Sequence, residues 1–263
     1  MEPVHRVLFP RVKDPFAIGK CALTIMTKAP LAGRVKTRLT PPLTPTEAAA
    51  LNSYFLQDIA MAISNAGTKT QGLGCYAPPG AERIYRDLLP ESFLLLPQRD
   101  TDFGKRLRFA VEDLFAVGFV SVCLISSDSP MVTTDSYAEA AWMLSCSDDC
   151  VVLGPSDDGG YYLIGLKKLH LELFEEIDWS TERVLNQTLA RAAEMRLPVH
   201  LLPASFDVDD RDGLHRLCDE LFSTDASTVK GAAPATKRFL HELIAREGRD
   251  RIWPVKDSSN ASL

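Results

Sequence analysis

The sequence predicts an α/β protein built around one central, mostly parallel β-sheet. Short apolar segments alternate with amphipathic helical segments from residue 21 to residue 222, which is the pattern of a parallel sheet covered by helices. The clearest apolar segment, Val120–Ile125, has the composition of a strand that is buried on both faces. With 263 residues, of which 46% are hydrophobic, the chain can bury a sizeable core in one domain.

The first elements are placed by the residues at their boundaries. Residues 1–20 contain several prolines and no continuous apolar run, so they are predicted to form a flexible extension and not a signal peptide. Cys21–Thr27 is the first predicted strand. Thr44–Glu47 has a threonine cap, then a proline, then a glutamate at the third helical position. This capping box predicts a long helix that ends near Ala66.

The alternation continues along the rest of the chain. Strands are predicted near residues 72–77 and at 93–96, 120–125, 150–153 and 199–202, with 161–166 as a further strand or hairpin arm. Helices are predicted at residues 81–88, 105–117, 135–146 and 211–222, and one more follows a Trp179–Thr181 cap and ends near Arg196. Residues 21–222 are therefore assigned to one domain. Residues 223–263 are assigned to a C-terminal extension with one added helix at about 236–246.

Composition argues against several classes of protein. The formal net charge of −6 argues against a nucleic-acid-binding protein, whose binding face is usually basic. No apolar run is long enough to span a bilayer. The six cysteines form no C-x-x-C pair, which predicts reduced thiols in a cytoplasmic protein. Because the cations are clustered locally, a small anionic ligand is the expected partner. The oligomeric state is left open.

The cations cluster in the loop that follows the first strand, residues 28–39. Ligands of open α/β sheets bind at the C-terminal edge of the strands, where this loop is placed. Gly33 allows the backbone to approach a ligand closely. The loop's basic side chains can neutralise phosphate oxygens: Lys28, Arg34, Lys36 and Arg38. The alternative for this loop alone is a solvated basic surface.

Aspartates follow three other predicted strands. They are Asp128, the pair Asp157 and Asp158, and the group Asp207, Asp209 and Asp210. In a parallel sheet these loops share one edge with the basic loop. Magnesium prefers a few carboxylates together with phosphate oxygens and water, so the combination predicts a magnesium–nucleotide site, with manganese as the other candidate ion. For each aspartate alone, a helix cap or a turn is the alternative role.

Five motifs in matching order give the chain a resemblance to a known family. They are the K-A-P-L-A-G-R-V-K-T-R-L loop, the S-S-D-S-P turn, the P-S-D-D-G-G-Y-Y-L-I-G segment, the W-S-T cap and the late D-V-D-D. In these the chain resembles the glycosyltransferase family DUF2064, grouped with the nucleotide-diphospho-sugar transferases, from about Cys21 to Leu221. The resemblance implies a GT-A-like, Rossmann-related three-layer α/β sandwich that binds a nucleotide at the C-terminal edge of its sheet.

The basic loop, the D-G-G segment and the D-V-D turn are also similar to guanylyltransferases that load phospholactate or phosphoenolpyruvate in F420 synthesis. That resemblance implies that Asp128, Asp207 and Asp209 hold Mg²⁺. The chain departs from these patterns at three places. Ser126 stands where the family has a glycine, Asp210 stands for a threonine, and Arg99–Asp102 replaces a glycine-rich run.

Each candidate residue is given an expected role. Nucleotide and phosphate binding is expected of Lys28, Gly33, Lys36, Arg38 and Arg106. Asp128 and Asp158 are the candidate catalytic residues. The acceptor or sugar is expected to lie against Gly159, Gly160, Trp179 and Thr181. For the last two residues, a core tryptophan with a helix-capping threonine is the alternative.

Two transferase chemistries fit these residues. Glycosyl transfer from a nucleotide-diphospho-sugar to a small-molecule acceptor comes first because of the family name. Nucleotidyl transfer from a nucleoside triphosphate to a phosphorylated acceptor, with release of pyrophosphate, is the alternative, because so many cations suit a triphosphate. A nucleotide-binding protein without turnover is a further alternative, motivated by the altered Arg99–Asp102 segment.

Overall fold

A computed structural model describes residues 5–10, 12–99, 102–146, 148–222 and 232–254. Seven strands form one sheet in the order β3-β2-β1-β4-β6-β5-β7. The strands are β1 (Cys21–Lys28), β2 (Thr70–Ala77), β3 (Leu94–Pro97), β4 (Ser121–Ser126), β5 (Val151–Pro155), β6 (Tyr161–Leu166) and β7 (Val199–Leu201). The predicted strands are therefore all present, with ends shifted by one or two residues.

The sheet is parallel except at β6, which runs antiparallel to both of its neighbours, β4 and β5. The turn between β5 and β6 is too short for a crossover, so the two strands can only form a hairpin. The C-terminal ends of β1, β4 and β5 lie at the same edge of the sheet. The prediction of a mostly parallel α/β sheet is confirmed.

Helices cover both faces of the sheet. They are α1 (Pro45–Ser64), α2 (Phe103–Val117), α3 (Thr134–Cys146), α4 (Val184–Glu194), α5 (Arg211–Phe222), α6 (Pro234–Glu247) and α7 (Arg249–Ile252). Buried side chains of α1 and α3 pack on one face of the sheet, and those of α2 and α4 pack on the other. This is the predicted three-layer arrangement. Within the described ranges, no helix is long and apolar enough to cross a membrane.

A third hydrophobic cluster lies beside the C-terminal edge of the sheet. It joins Leu39 and Val208, which belong to two loops at that edge, to Leu240, Leu243 and Ile252 from the C-terminal helices. Helix α1 supports the same region. The carboxylate of Asp58 accepts hydrogen bonds from the first backbone N–H groups of α6, at 2.9 and 2.8 Å. The C-terminal helices therefore pack directly behind the loops that follow the strands.

The described part of residues 5–20 also packs on the domain. Leu8 is 1% exposed and its backbone N–H donates to the carbonyl of Leu95 at 2.7 Å. The N–H of Asp14 donates to the carbonyl of Val117 at 3.0 Å. These contacts are more extensive than those expected of the flexible extension that the prolines predicted. The division of the chain into extensions and a central domain stays a prediction.

Two helix starts show how local chemistry sets the boundaries. The capping box of α1 is present, because Thr44 Oγ1 accepts from the N–H of Glu47 at 3.2 Å and the Glu47 carboxylate accepts from the N–H of Thr44 at 2.8 Å. Helix α4 begins at Val184, three residues after the predicted cap. The prediction was wrong because the Thr181 hydroxyl is used within the preceding turn, where it donates to the carbonyl of Asp178 at 2.7 Å.

Replacing Glu47 by alanine is expected to lower the free energy of unfolding by about 1–2 kcal/mol, since it removes the capping box and a carboxylate that Arg251 binds. Burial alone raises the pKa of Glu47, but hydrogen bonds from Arg251 and Thr44 outweigh it and hold the pKa below its usual value. This contribution is present above the unfolded-state pKa and is lost as the pH falls through the folded one. Urea unfolding at several pH values measures the change in the free energy of unfolding, with Glu242→Ala in α6 as the exposed control. Equal effects of the two variants would contradict the assignment.

Candidate active site

A cavity of about 700 Å³ opens at the C-terminal edge of the sheet. The loops after β1, β4 and β5 line it, together with Asp207, Asp209 and part of α2. It collects most of the side chains predicted to be functional: Lys28, Lys36, Arg38, Arg106, Asp128, Asp158, Gly160, Trp179, Thr181, Asp207 and Asp209. Its volume lies in the range of small-molecule sites. The expectation that these loops converge is therefore met, while the role of each residue stays a prediction.

Lys36 lies at the centre of the charged groups. Its side chain is only 4% exposed, and its ammonium lies 2.5 Å from Asp128 Oδ1 and 3.0 Å from Asp209 Oδ1. It also donates to the carbonyl of Val208 at 2.8 Å. One cation thus joins the loop after β1 to the loop after β4 and to the segment before α5.

The environment of Lys36 keeps it charged. Burial alone lowers the pKa of a lysine, but Asp128 and Asp209 outweigh that effect and raise the pKa of Lys36 above its usual value. Its backbone adopts the left-handed conformation, with φ 49° and ψ 37°, immediately before a short 3-10 helix at Thr37–Leu39. Leu39 is fully buried and anchors this helix. The loop therefore directs Lys36 inward.

The other cations of the loop stand at the rim of the cavity. Lys28, Arg34 and Arg38 are exposed and line the cavity. A tight turn shapes the loop, since the N–H of Arg34 donates to the carbonyl of Leu31 at 2.9 Å. Gly33 has φ 74°, a conformation that favours glycine, but it does not line the cavity. Its effect is therefore on the shape of the turn.

The aspartates that line the cavity, Asp128, Asp158, Asp207 and Asp209, form its acidic wall. The N–H of Val208 donates to the carbonyl of Asp128 at 2.9 Å, which ties two of the acidic segments together. Asp207 accepts a hydrogen bond from the Ser129 hydroxyl. Burial, and then the charges of Asp128, Asp158 and Asp209, raise the pKa of Asp207 to about 7. Carboxylates from three segments therefore crowd one small region.

The donors on this wall suit a hard divalent ion. The side-chain groups described above, the aspartates and Ser129, offer carboxylate and hydroxyl oxygens, which are the ligands that Mg²⁺ and Mn²⁺ prefer. Among the described residues, no three His, Cys, Asp or Glu side chains are already arranged as a metal-binding group. Two of the three predicted ligands, Asp128 and Asp209, share the ammonium of Lys36.

The β5–β6 turn is held against the segment that precedes α4. Asp158 Oδ1 accepts from the N–H of Gly160 at 2.9 Å, which fixes its carboxylate over the turn. Gly159 has φ 86°, and a Cβ there would lie 2.2 Å from the carbonyl oxygen of Glu182. Gly159 does not line the cavity, whereas Asp158 and Gly160 do. Gly159 therefore acts on the position of the turn and not on a ligand directly.

An aromatic group closes one end of the cavity. Trp179 meets Phe103 edge to face, with ring centroids 5.6 Å apart, and stacks on Phe174 at 6.5 Å. Gly104 leaves room for it, because a Cβ there would lie 2.1 Å from the indole nitrogen. Arg106 lies over the Phe103 ring at 5.7 Å. Trp179 is thus packed on its neighbours and also lines the cavity.

Two polar residues near β3 behave differently from each other. Gln98 lines the cavity and donates to the carbonyls of Thr27 and Cys75, at 3.1 and 2.7 Å. It was not predicted as a site residue, although it follows an apolar strand as the other candidates do. Arg99, in the segment that departs from the family pattern, instead pairs with Asp113 and does not line the cavity.

Comparison with known proteins agrees with this fold. A family model described as "Uncharacterized protein conserved in bacteria (DUF2064)" matches residues 65–181, which confirms the resemblance over that stretch. A crystal structure of a proposed nucleotide-diphospho-sugar transferase from Desulfovibrio desulfuricans G20 is 28% identical. It covers 88% of this chain and 98% of its own, with a TM-score of 0.75. No curated protein sequence matches the chain.

Two more distant structures share the fold. One is a CMP:2-keto-3-deoxy-manno-octonic acid synthetase complexed with CTP, at 13% identity and a TM-score of 0.50, covering 75% of this chain and 96% of its own. The other is a nucleotidyl transferase from Methanothermobacter, at 14% identity and a TM-score of 0.50, covering 76% and 96%. The predicted GT-A-like architecture is confirmed. The name of the 28% identical structure agrees with the predicted enzyme class, a transferase.

Proposed function

We propose that this protein is a transferase that acts on an activated nucleotide held in the 700 Å³ cavity. The observation that carries the proposal is that cationic side chains and aspartates from three segments line the same cavity. Phosphates need the cations, and a divalent ion that bridges phosphates to protein needs the aspartates.

The rim cations bind the phosphates in this proposal. Lys28, Arg34 and Arg38 are exposed to an entering ligand, and the backbone around Gly33 lies in the same loop. Lys36 neutralises two aspartates and brings the loop up to the acidic wall. Arg106 stands at the aromatic end of the cavity, where it can meet an anionic group of the acceptor.

Asp128, Asp207 and Asp209 would hold Mg²⁺ or Mn²⁺. When bound, the ion supplies positive charge that stabilises the leaving phosphate. Ser129 orients the Asp207 carboxylate through its hydroxyl, and Lys36 orients those of Asp128 and Asp209. Two contacts thus position the three acids, one from Ser129 to Asp207 and one from Lys36 shared by Asp128 and Asp209.

Nucleotidyl transfer is the chemistry that the geometry supports best. Three exposed cations at one rim suit the charge of a nucleoside triphosphate better than that of a diphosphate. In this reaction an acceptor phosphate oxygen attacks the α-phosphorus, the bond to the β-phosphate oxygen breaks, and pyrophosphate leaves. The acceptor would lie toward Asp158, Gly160 and Trp179, which line the same cavity.

Glycosyl transfer is the second candidate, and the 28% identical Desulfovibrio desulfuricans protein favours it. In that reaction the sugar would lie against Asp158, Gly160 and the wall made by Trp179 and Thr181. The acceptor attacks the sugar carbon and a nucleoside diphosphate or monophosphate leaves.

Product analysis separates the two reactions. The protein is incubated with Mg²⁺ and each nucleoside triphosphate with a panel of small phosphorylated acceptors, and in parallel with UDP-, GDP-, CMP- and ADP-sugars. Pyrophosphate release that requires an acceptor supports nucleotidyl transfer, whereas acceptor-dependent loss of a sugar from its nucleotide supports glycosyl transfer. Magnesium-dependent nucleotide binding without turnover across both panels would support a non-catalytic nucleotide-binding protein.

Replacing Arg38 by methionine is expected to weaken nucleotide binding by about tenfold, because one charged hydrogen-bond donor to phosphate is lost. Isothermal titration with the nucleotide found above measures the affinity. Lys168→Met is the matched control, since Lys168 pairs with Asp149 at 3.1 Å and does not line the cavity. An Arg38 variant with the affinity of the wild type would remove Arg38 from the phosphate site.

A further inference from the structure

Lys36 occupies a position that a metal ion would also favour. Its ammonium has three oxygen neighbours, at 2.5 Å from Asp128, 3.0 Å from Asp209 and 2.8 Å from the carbonyl of Val208. Two of these neighbours are carboxylates that the proposed function assigns to the divalent ion. One cation of the protein therefore already neutralises part of the proposed metal site.

This contact is built into the fold and differs from an ordinary surface ion pair. The Lys36 side chain is 4% exposed and its ammonium lies 5.4 Å from the centre of the Phe55 ring of α1. The backbone at Lys36 takes a left-handed conformation. Exposed ion pairs contribute little because water competes for them, but here the ammonium is shielded from water, while the side chains of Asp128 and Asp209 are 31% and 49% exposed.

We propose that Lys36 competes with the divalent ion for Asp128 and Asp209, so that the protein binds the ion weakly until nucleotide phosphates offer the ammonium other acceptors. The competition between Lys36 and the ion for the two carboxylates needs no nucleotide. The coupling of ion binding to nucleotide binding rests on the proposed function. Through this coupling the ion and the nucleotide would enter the site together.

The physical reason is that two cations cannot share the same carboxylate oxygens at contact distance. An ammonium 2.5 Å from Asp128 Oδ1 blocks that oxygen and repels a nearby ion by like charge. Phosphate oxygens are strong acceptors for a lysine ammonium, so a bound nucleotide lowers the cost of moving it. By linkage, nucleotide then raises the affinity for the ion, and the ion raises the affinity for nucleotide, by the same factor.

Mn²⁺ binding in the absence of nucleotide tests the competition directly, with the EPR signal of free Mn²⁺ as the readout. Lys36→Met is expected to bind Mn²⁺ about tenfold more tightly than the wild type, because both carboxylates are released. Arg211→Met is the matched control. It removes one positive charge two residues from Asp209, but Arg211 is exposed, does not line the cavity and, within the described part of the chain, pairs with neither Asp128 nor Asp209. It is expected to change the affinity by about twofold or less.

Lys36→Gln is a second variant that controls for a folding defect, since it keeps a hydrogen-bond donor while removing the charge. It is expected to show the same gain in Mn²⁺ affinity as Lys36→Met. Affinity for Mn²⁺ that is unchanged or weaker, in a variant whose Tm lies within about 4 °C of the wild type, would overturn the competition. A gain of the same size in Arg211→Met would also overturn it, because the effect would then come from net charge alone.

The coupling is tested by repeating the Mn²⁺ titration with α,β-imido analogues of the nucleoside triphosphates. In the wild type the analogue that binds is expected to raise Mn²⁺ affinity by about tenfold or more, and this factor should shrink in Lys36→Met. An equal factor in both proteins would overturn the coupling. If no analogue binds to the wild type, the proposed function fails, while the titration without nucleotide still decides the competition.

Discussion

Replacement of Asp128 by asparagine is expected to lower kcat/KM by about two to three orders of magnitude in the reaction that the product analysis identifies. Asp128 lines the cavity, contacts the Lys36 ammonium at 2.5 Å, and is the first of the three proposed ligands of the divalent ion. Asparagine keeps the shape of the side chain but removes the charge. The loss should therefore fall on catalysis and metal dependence, with the fold retained because Lys36 keeps Asp209 and the Val208 carbonyl as partners.

Asp157→Asn is the matched control for that experiment. Asp157 also follows a strand at the same edge of the sheet, but it is exposed, pairs with Arg216 at 2.5 Å and does not line the cavity. Turnover as a function of Mg²⁺ concentration is the measurement for both variants. Unchanged magnesium dependence in Asp128→Asn would remove Asp128 from the proposed metal site.

Replacement of Gly159 by alanine is expected to lower the free energy of unfolding by about 2–4 kcal/mol. Two separate causes add. The residue has φ 86°, where an alanine is strained, and the new Cβ would lie 2.2 Å from the backbone oxygen of Glu182. Because that oxygen belongs to the main chain, relief requires the β5–β6 turn and the segment before α4 to move apart. Affinity for the acceptor should fall as well, since Asp158 and Thr181 line the cavity on either side of this contact.

Gly80→Ala separates the two causes. Gly80 has φ 93°, but a Cβ there would meet nothing within 4 Å, so this variant reports the cost of the backbone conformation alone, about 1 kcal/mol. Urea unfolding of the two variants gives the difference. If both lost the same stability, the contact between Gly159 and Glu182 would have no energetic role.

Much of this arrangement follows from the sequence, because strand ends and loop chemistry are local features. The apolar run at Val120–Ile125 marked a buried strand, and Asp128 directly after it marked the edge where ligands bind. The capping box at Thr44–Glu47 placed the start of α1 for the same reason, since its contacts span three residues. The GT-A-like architecture came from five ordered motifs rather than from any one of them.

The remaining features depend on contacts between distant residues. Lys36 was expected to face phosphate, and nothing local indicates that its ammonium lies beside Asp209, which is far along the chain. The helix after Trp179 was placed too early because the Thr181 hydroxyl serves the preceding turn. The packing of Leu8 on β3 depends on a backbone bond to Leu95. Tertiary contacts of this kind leave little periodicity in the sequence.

The third hydrophobic cluster has a consequence for how substrate preference could be changed in the laboratory. Leu39 and Val208 are next to charged residues of the cavity in sequence, yet their side chains belong to the same hydrophobic cluster as Leu240, Leu243 and Ile252. Small changes in volume at those C-terminal positions would shift the rim without altering any group that meets a ligand. A directed-evolution library confined to residues 240–252 could therefore yield variants with new acceptor selectivity, and the beneficial substitutions would lie outside the first layer of residues around the substrate.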